Sequence, residues 1–127
     1  MKKIKNKIKH IGLLAAMPEE LGEILKNLEN IKKYNHGDLS IFNGLWKGSQ
    51  DNQVYISACW SGWGKVSAAR ATIRIIESKV KNKKVDFLIF TGVAGSANNK
   101  SKQWDVIIAN SLIQHDMDAR PIFNKFE

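Results

Sequence analysis

Residues 11–20 read IGLLAAMPEE. An apolar run ends in small residues, a proline follows, and two carboxylates come next. The run reads as a buried strand over 10–16, bounded by turn signals. Pro18 suits the first position of a helix, and Glu19 and Glu20 suit its positive amino end. A strand's carboxyl end feeding a helix amino end is where open α/β folds place their ligands. Small residues let a ligand approach the backbone, and a carboxylate there can orient a water or move a proton. On this stretch alone, a helix whose first turn carries solvated acids is the plainer reading.

Outward from that stretch, the pattern predicts a helix over 18–30. Leu21, Ile24, Leu25 and Leu28 repeat at i, i+3, i+4, i+7. Asn35-His36-Gly37-Asp38 marks a turn. Residues 39–46 and 54–60 then read as an antiparallel hairpin joined through 48–52. A second helix is expected over 65–80, with Val66, Ala69, Ile73, Ile76 and Val80 at helical spacing. Residues 85–90 form a continuous apolar run, as in a strand buried on both faces. A last strand is expected over 106–113, after which QHDMDARPIFNKFE shows no periodicity. The expected order is β-α-β-β-α-β-β. Such alternation argues for an α/β class: three α/β/α layers around a mixed central sheet, incomplete at its C-terminal side.

Composition bounds the rest. The chain has 127 residues, one domain's worth, and is 43% hydrophobic, enough to bury a core. It divides into a basic tail, 1–9, and a domain, 10–127. Cys59 has no partner for an internal disulfide and fits a reducing compartment. No apolar run approaches the roughly 20 residues that span a bilayer. The start has the ingredients of an export signal, but its apolar part is short and Pro-Glu-Glu follows at once. The expectation is a cytoplasmic protein with no membrane partner. The net charge is +8, with five lysines among the first ten residues and a second group at Lys79, Lys81, Lys83 and Lys84. Without aromatic–basic interleaving or finger-type spacing, solvated lysines are preferred to a nucleic-acid footprint.

Three breaks fall at strand ends: Leu14-Ala15-Ala16-Met17, Ser61-Gly62-Trp63-Gly64-Lys65 and Thr91-Gly92-Val93-Ala94-Gly95-Ser96. Their N–H groups can face phosphate, carboxylate or ribose oxygens. None has dinucleotide-fingerprint or P-loop spacing, so each taken singly reads as a tight turn. Trp60 and Trp63 can stack on a base, though packing is the commoner use of Trp. Cys59 lies in an apolar strand without an activating base and reads as core. His115-Asp116-Met117-Asp118 lacks a full ligand set, so no metal is expected. Arg120-Pro121-Ile122-Phe123 can hold an anion or lend an aromatic wall to a neighbouring subunit, against the blander reading of an irregular surface segment.

Taken in order, these segments resemble one family. IGLLAAMPEE is similar to the opening of the 5′-methylthioadenosine/S-adenosylhomocysteine nucleosidases, within the purine nucleoside phosphorylase-like superfamily. SGWGKVSAA (61–69), VDFLIFTGVAGS (85–96) and VIIANSLIQHDMDARPIF (106–123) resemble that family's later segments in the same register. The family cleaves the N-glycosidic bond of adenine nucleosides with water, without a cofactor. The resemblance implies that Glu20 is the catalytic, water-orienting carboxylate. It implies that Ala16 and Met17 lie near the ribose, that Val93, Ala94 and Gly95 lie beside sugar and base, and that Trp63 lines the site. Met117, Ile122 and Phe123 fall where family homodimers wall the alkylthio pocket of the neighbouring subunit.

The family chain is nearly twice as long. Its second half carries the ribose-gripping Met-Glu pair, the Ser-Asp pair with the general acid and the adenine-stacking aromatic. The expectation is therefore a truncated product or fragment, with weak or no activity alone, or a chain that pairs with another. Two other functions stay open at this point: a phosphorylase of the same superfamily, for which Arg120 is a poor phosphate site, and a non-catalytic binding or assembly module.

Overall fold

The computed structural model describes residues 10–47, 53–97 and 99–125. The basic tail and the whole 48–52 connection lie outside them. The described residues form five strands and two α-helices: β1 (His10–Ala15), α1 (Gly22–Lys26), β2 (Glu29–His36), β3 (Leu39–Lys47), β4 (Gln53–Trp60), α2 (Lys65–Glu77) and β5 (Phe87–Phe90). A single 3₁₀ turn, Pro18–Glu20, precedes α1. The strands make one mixed sheet in the order β2-β3-β4-β1-β5. β1 is parallel to both neighbours, pairing Leu14 with Cys59 of β4 and with Phe90 of β5. β2–β3 and β3–β4 are antiparallel, so the expected hairpin is present.

Side-chain alternation along the strands builds two cores. Leu13, Ala15, Ile56 and Ala58 are buried with Leu21 and Leu28, and Ile24 and Leu25 of α1 pack against them. Leu14, Leu39, Ile41 and Cys59 are buried with Ala71 and Ile75 of α2. Neighbouring residues of β1 thus feed opposite clusters, and the sheet is covered by a helix on each face. Gly12 makes the second contact close: a Cβ there would collide with Ile75 Cγ2 and stand 2.9 Å from Leu88 Cδ1. At the amino end of β1, buried His10 bonds Ser57 Oγ through Nε2 (2.7 Å) and faces the Lys83 carbonyl through Nδ1 (3.2 Å). Ser57 Oγ also donates to Asn43 Oδ1 (2.7 Å) and accepts from Ser78 Oγ (2.9 Å), tying β1, β3, β4 and the end of α2.

The structure corrects four expectations. The apolar run at 85–90 forms a strand only over Phe87–Phe90, and it is not buried on both faces: β5 is an edge of the sheet, and Phe87, Ile89 and Phe90 are exposed. The helix expected over 18–30 is a 3₁₀ turn and a short α1 that ends at Lys26, with Asn27 as its C-cap. Leu28 keeps the apolar spacing because it is buried just past the helix, where Gly44 lets it settle on β3; a Cβ on Gly44 would lie 2.8 Å from Leu28 Cβ. The next residues form β2, whose eight residues are all exposed. A strand at the sheet edge draws its stability from pairing with β3, so it shows no apolar alternation, and its lysines discourage further pairing. Finally, the expected strand over 106–113 is absent. Val106, Ile108 and Leu112 are each about nine-tenths exposed, and no described strand pairs with them. Apolar residues form a strand only where a ladder partner exists.

The chain divides into two compact units, one ending at Ala94 and one running from Gly95 to Glu127. Among the described residues, no helix is long and apolar enough to cross a membrane.

Candidate active site

The ends of three strands meet where the first unit places its small residues. Ser61 N donates to Ala15 O (2.9 Å), Gly62 N to Ala16 O (3.1 Å) and Thr91 N to Leu14 O (2.8 Å). These bonds fasten the turns after β4 and β5 to the end of β1. Gly62 and Gly64 have φ of +75° and +94°, which L side chains rarely adopt, so the Ser-Gly-Trp-Gly turn needs its glycines. Trp63 stands between them with 79% of its surface exposed. Trp60, just upstream, stacks on Phe42 with ring centroids 5.2 Å apart, so its role is packing.

Glu20 is set by the turn that Pro18 opens. Met17, extended at φ −130° and ψ 152°, precedes the 3₁₀ turn, and Glu20 is its third residue. The side chain folds back so that Oε2 accepts from Ala16 N (2.8 Å) and Met17 N (3.0 Å). This is the reciprocal half of a capping box, and a capped helix needs no more. The second oxygen goes further: Oε1 accepts from Val93 N (3.0 Å), 73 residues away in the loop after β5. Gly92 permits this reach, because a Cβ there would lie 2.6 Å from Oε1 and 3.0 Å from Cδ.

The electrostatics follow from those donors. The Val93 N–H acts most strongly, against the cost of burial, and the Met17 and Ala16 N–H groups add to it. Together they hold the Glu20 carboxyl below the usual glutamate range. The group is therefore ionised at neutral pH. A carboxylate has about four acceptor positions, and three are taken by N–H groups, which leaves one for a water. A half-buried, fixed, ionised carboxylate with one spare acceptor can orient a water as a nucleophile. Glu19, by contrast, is exposed.

Of the residues singled out by sequence, Ala16, Met17, Val93 and Glu20 come together through these bonds. Ala94 follows Val93 in the same loop and is exposed. Gly95 belongs to the second unit. So do Met117, Ile122 and Phe123, whose side chains are exposed. There Met117 N donates to Gln114 O (3.2 Å) and Ile122 N to Ala119 O (3.0 Å), forming consecutive turns. The guanidinium of Arg120 is engaged by the Asp118 carboxylate, through Nε to Oδ1 (2.8 Å) and Nη2 to Oδ2. Cys59 is buried, and burial pushes its thiol up to about 11, in keeping with a core role. Sequence reading missed the part played by Gly92. The signal was available: it is the first glycine after an apolar strand run, and such a residue often marks close approach of another group.

Comparison with known proteins identifies relatives of the chain. Residues 10–127 match the phosphorylase superfamily. A 5′-methylthioadenosine/S-adenosylhomocysteine nucleosidase of Desulfotalea psychrophila is 37% identical over 109 residues, which are 86% of this chain and 43% of that protein. The crystal structure of a nucleosidase of the same name from Neisseria meningitidis, in complex with methylthio-immucillin-A, superposes with a TM-score of 0.80 at 29% identity. It covers 94% of this chain and 48% of its own. The futalosine hydrolase of Helicobacter pylori superposes with a TM-score of 0.72 at 29% identity, over 88% of this chain and 45% of its own. The chain thus spans a little under half the length of the relatives it matches. With the family match running from the first residue of β1 to the end of the sequence, the chain belongs to the phosphorylase superfamily.

Proposed function

We propose that this chain is the water-holding half of a nucleosidase that hydrolyses the N-glycosidic bond of 5′-methylthioadenosine or S-adenosylhomocysteine. The observation that carries the reading is the Glu20 carboxylate, bound by the N–H groups of Ala16, Met17 and Val93. In the reaction, a water held on Glu20 forms a bond to the anomeric carbon as the bond to adenine breaks. Positive charge develops on the ribose, and an ionised carboxylate nearby stabilises it. The water gives up a proton and the departing adenine takes one. Ala16 and Met17 then lie near the ribose, Val93, Ala94 and Gly95 beside sugar and base, and Trp63 at the rim. Met117, Ile122 and Phe123 serve the neighbouring subunit of a homodimer as the wall around the 5′ substituent. No cofactor enters these steps.

The matched relatives are more than twice as long as the region they share with this chain. By family resemblance, the acid that protonates adenine lies in their remaining half. Without such an acid a rate falls by about 10²–10⁴, so the chain by itself is a slow catalyst. Similarity to both nucleosidases and a futalosine hydrolase fits a shared water site, with the 5′ substituent chosen at separate residues, Met117, Ile122 and Phe123 among them.

Phosphorolysis is the weaker reading. Arg120, the cation suggested for a phosphate, is already held by Asp118. Adenine release from methylthioadenosine, followed with and without phosphate and in Glu20→Gln, separates the two reactions.

A further inference from the structure

A cleft of about 340 Å³ lies on the β2–β3–β4 portion of the sheet, beside the segment that follows α2. It is remote from Glu20. Tyr55, which lines it, pairs with His10 at the amino end of β1, whereas the Glu20 turn follows the carboxyl end. Five residues of strand separate the two ends, about 17 Å at the usual rise.

Its lining is basic and aromatic. Lys32 comes from β2, and Lys79 and Lys81 from the segment after α2; Tyr34 and Tyr55 supply rings. No carboxylate is among the lining residues, and none of the three lysines forms an ion pair among the described residues. Lys81 Nζ lies 5.2 Å from the centroid of the Tyr55 ring. The lysine group at 79–84, read from sequence as a solvated helix end, is thus joined by a lysine from a distant strand.

The backbone is held in unusual conformations where it borders this cleft. Asn30 and Lys81 both have positive φ, 54° and 49°, and Asn82 follows at 61°. Val80 and Lys83 close that turn with two reciprocal backbone bonds of 3.0 Å. Two successive positive φ values are the requirement of the mirror-image two-residue turn, usually met by Asn-Gly. Here a lysine occupies the first of those positions, against its steric preference, and it is one of the residues lining the cleft. Backbone held against preference tends to gather at ligand-handling sites.

We propose that this cleft binds a small ligand carrying a di- or triphosphate, with Lys32, Lys79 and Lys81 on the phosphates and Tyr34 against an attached ring. Lysines serve phosphates as mobile point charges, and three uncompensated charges favour a polyanion over a monoanion. The volume suits a ligand of nucleotide size.

The test uses the whole 127-residue chain and UDP, which lacks the adenine expected at the Glu20 site. Calorimetry should give one UDP per chain, weaker binding of UMP and none of uridine, with affinity falling as salt is raised. Lys32→Gln/Lys79→Gln/Lys81→Gln should weaken UDP at least tenfold while circular dichroism stays unchanged. If that variant does not fold, Lys79→Gln alone should weaken UDP about threefold. Tyr34→Ala should weaken UDP but not pyrophosphate. Replacing the five tail lysines by glutamine, or Glu20 by glutamine, should leave UDP affinity within twofold. Absence of UDP binding at millimolar concentration, loss of binding with the tail lysines, or indifference to the cleft lysines would overturn the proposal.

Discussion

Gly92 lies so close to Glu20 that a Cβ on the glycine would stand 2.6 Å from the carboxylate oxygen Oε1. The carboxylate cannot simply swing aside, because three N–H groups hold it. Gly92 has no positive φ, so alanine is compatible with its backbone and the collision is the whole effect. Gly92→Ala should therefore behave as a lesion of Glu20. We expect loss of the Glu20–Val93 bond and destabilisation of about 1–3 kcal/mol, the usual range for overpacking. Urea unfolding measures the stability. The Glu20 carboxyl, followed by carbon NMR, should titrate closer to the ordinary glutamate value than in the parent chain.

The same donors give the site a pH signature. The Glu20 pKa is lowered in the folded chain, chiefly by Val93 N–H. Its contribution to stability is then fully present above the unfolded value of about 4.3 and is lost as pH falls through the lowered folded value. Glu20→Gln should cost about 1 kcal/mol at neutral pH, one charge-assisted bond's worth discounted for solvent. The gap between the two proteins should close in acid. Chemical denaturation at pH 7 and at pH 3 tests this; a gap that widens in acid would contradict it.

Ser57 tests the opposite end of the sheet. Its Oγ bonds His10, Asn43 and Ser78. Ser57→Ala leaves a buried imidazole nitrogen without its partner, at a cost of about 1–3 kcal/mol. The loss should appear in the denaturation midpoint with the Glu20 titration unaltered.

Cys59 should resist modification. With the thiol pushed up to about 11 by burial, it holds little thiolate at pH 8. A thiol reagent should label the native chain slowly and the urea-unfolded chain at once.

The middle of the fold was legible because β1 and β4 are largely buried and their apolar runs reflect it. β5 kept an apolar run although it is an edge strand whose residues are mostly exposed. The opposite edge was not legible. All eight residues of β2 are exposed, so no alternation marks them, and its pairing with β3 is a tertiary fact. Leu28 misled in the other direction, since a residue buried beside Gly44 after the helix keeps helical spacing. At the site, Pro18 and the acids after it pointed to a carboxylate at a helix start, with resemblance singling out Glu20. Spacing alone could not reveal that Val93, 73 residues away, would supply the third N–H. That bond turns a local cap into a fixed point between β1 and β5. The apolar run at 106–113 shows the converse limit: strand-forming residues with no described strand beside them stay irregular.

The most direct measurement is adenine release from 5′-methylthioadenosine by the chain, by chromatography over long incubation, with and without phosphate. Slow release that does not depend on phosphate is expected, falling about a hundredfold or more in Glu20→Gln. Release that requires phosphate, release indifferent to Glu20→Gln, or none above the uncatalysed background would contradict the proposed hydrolysis.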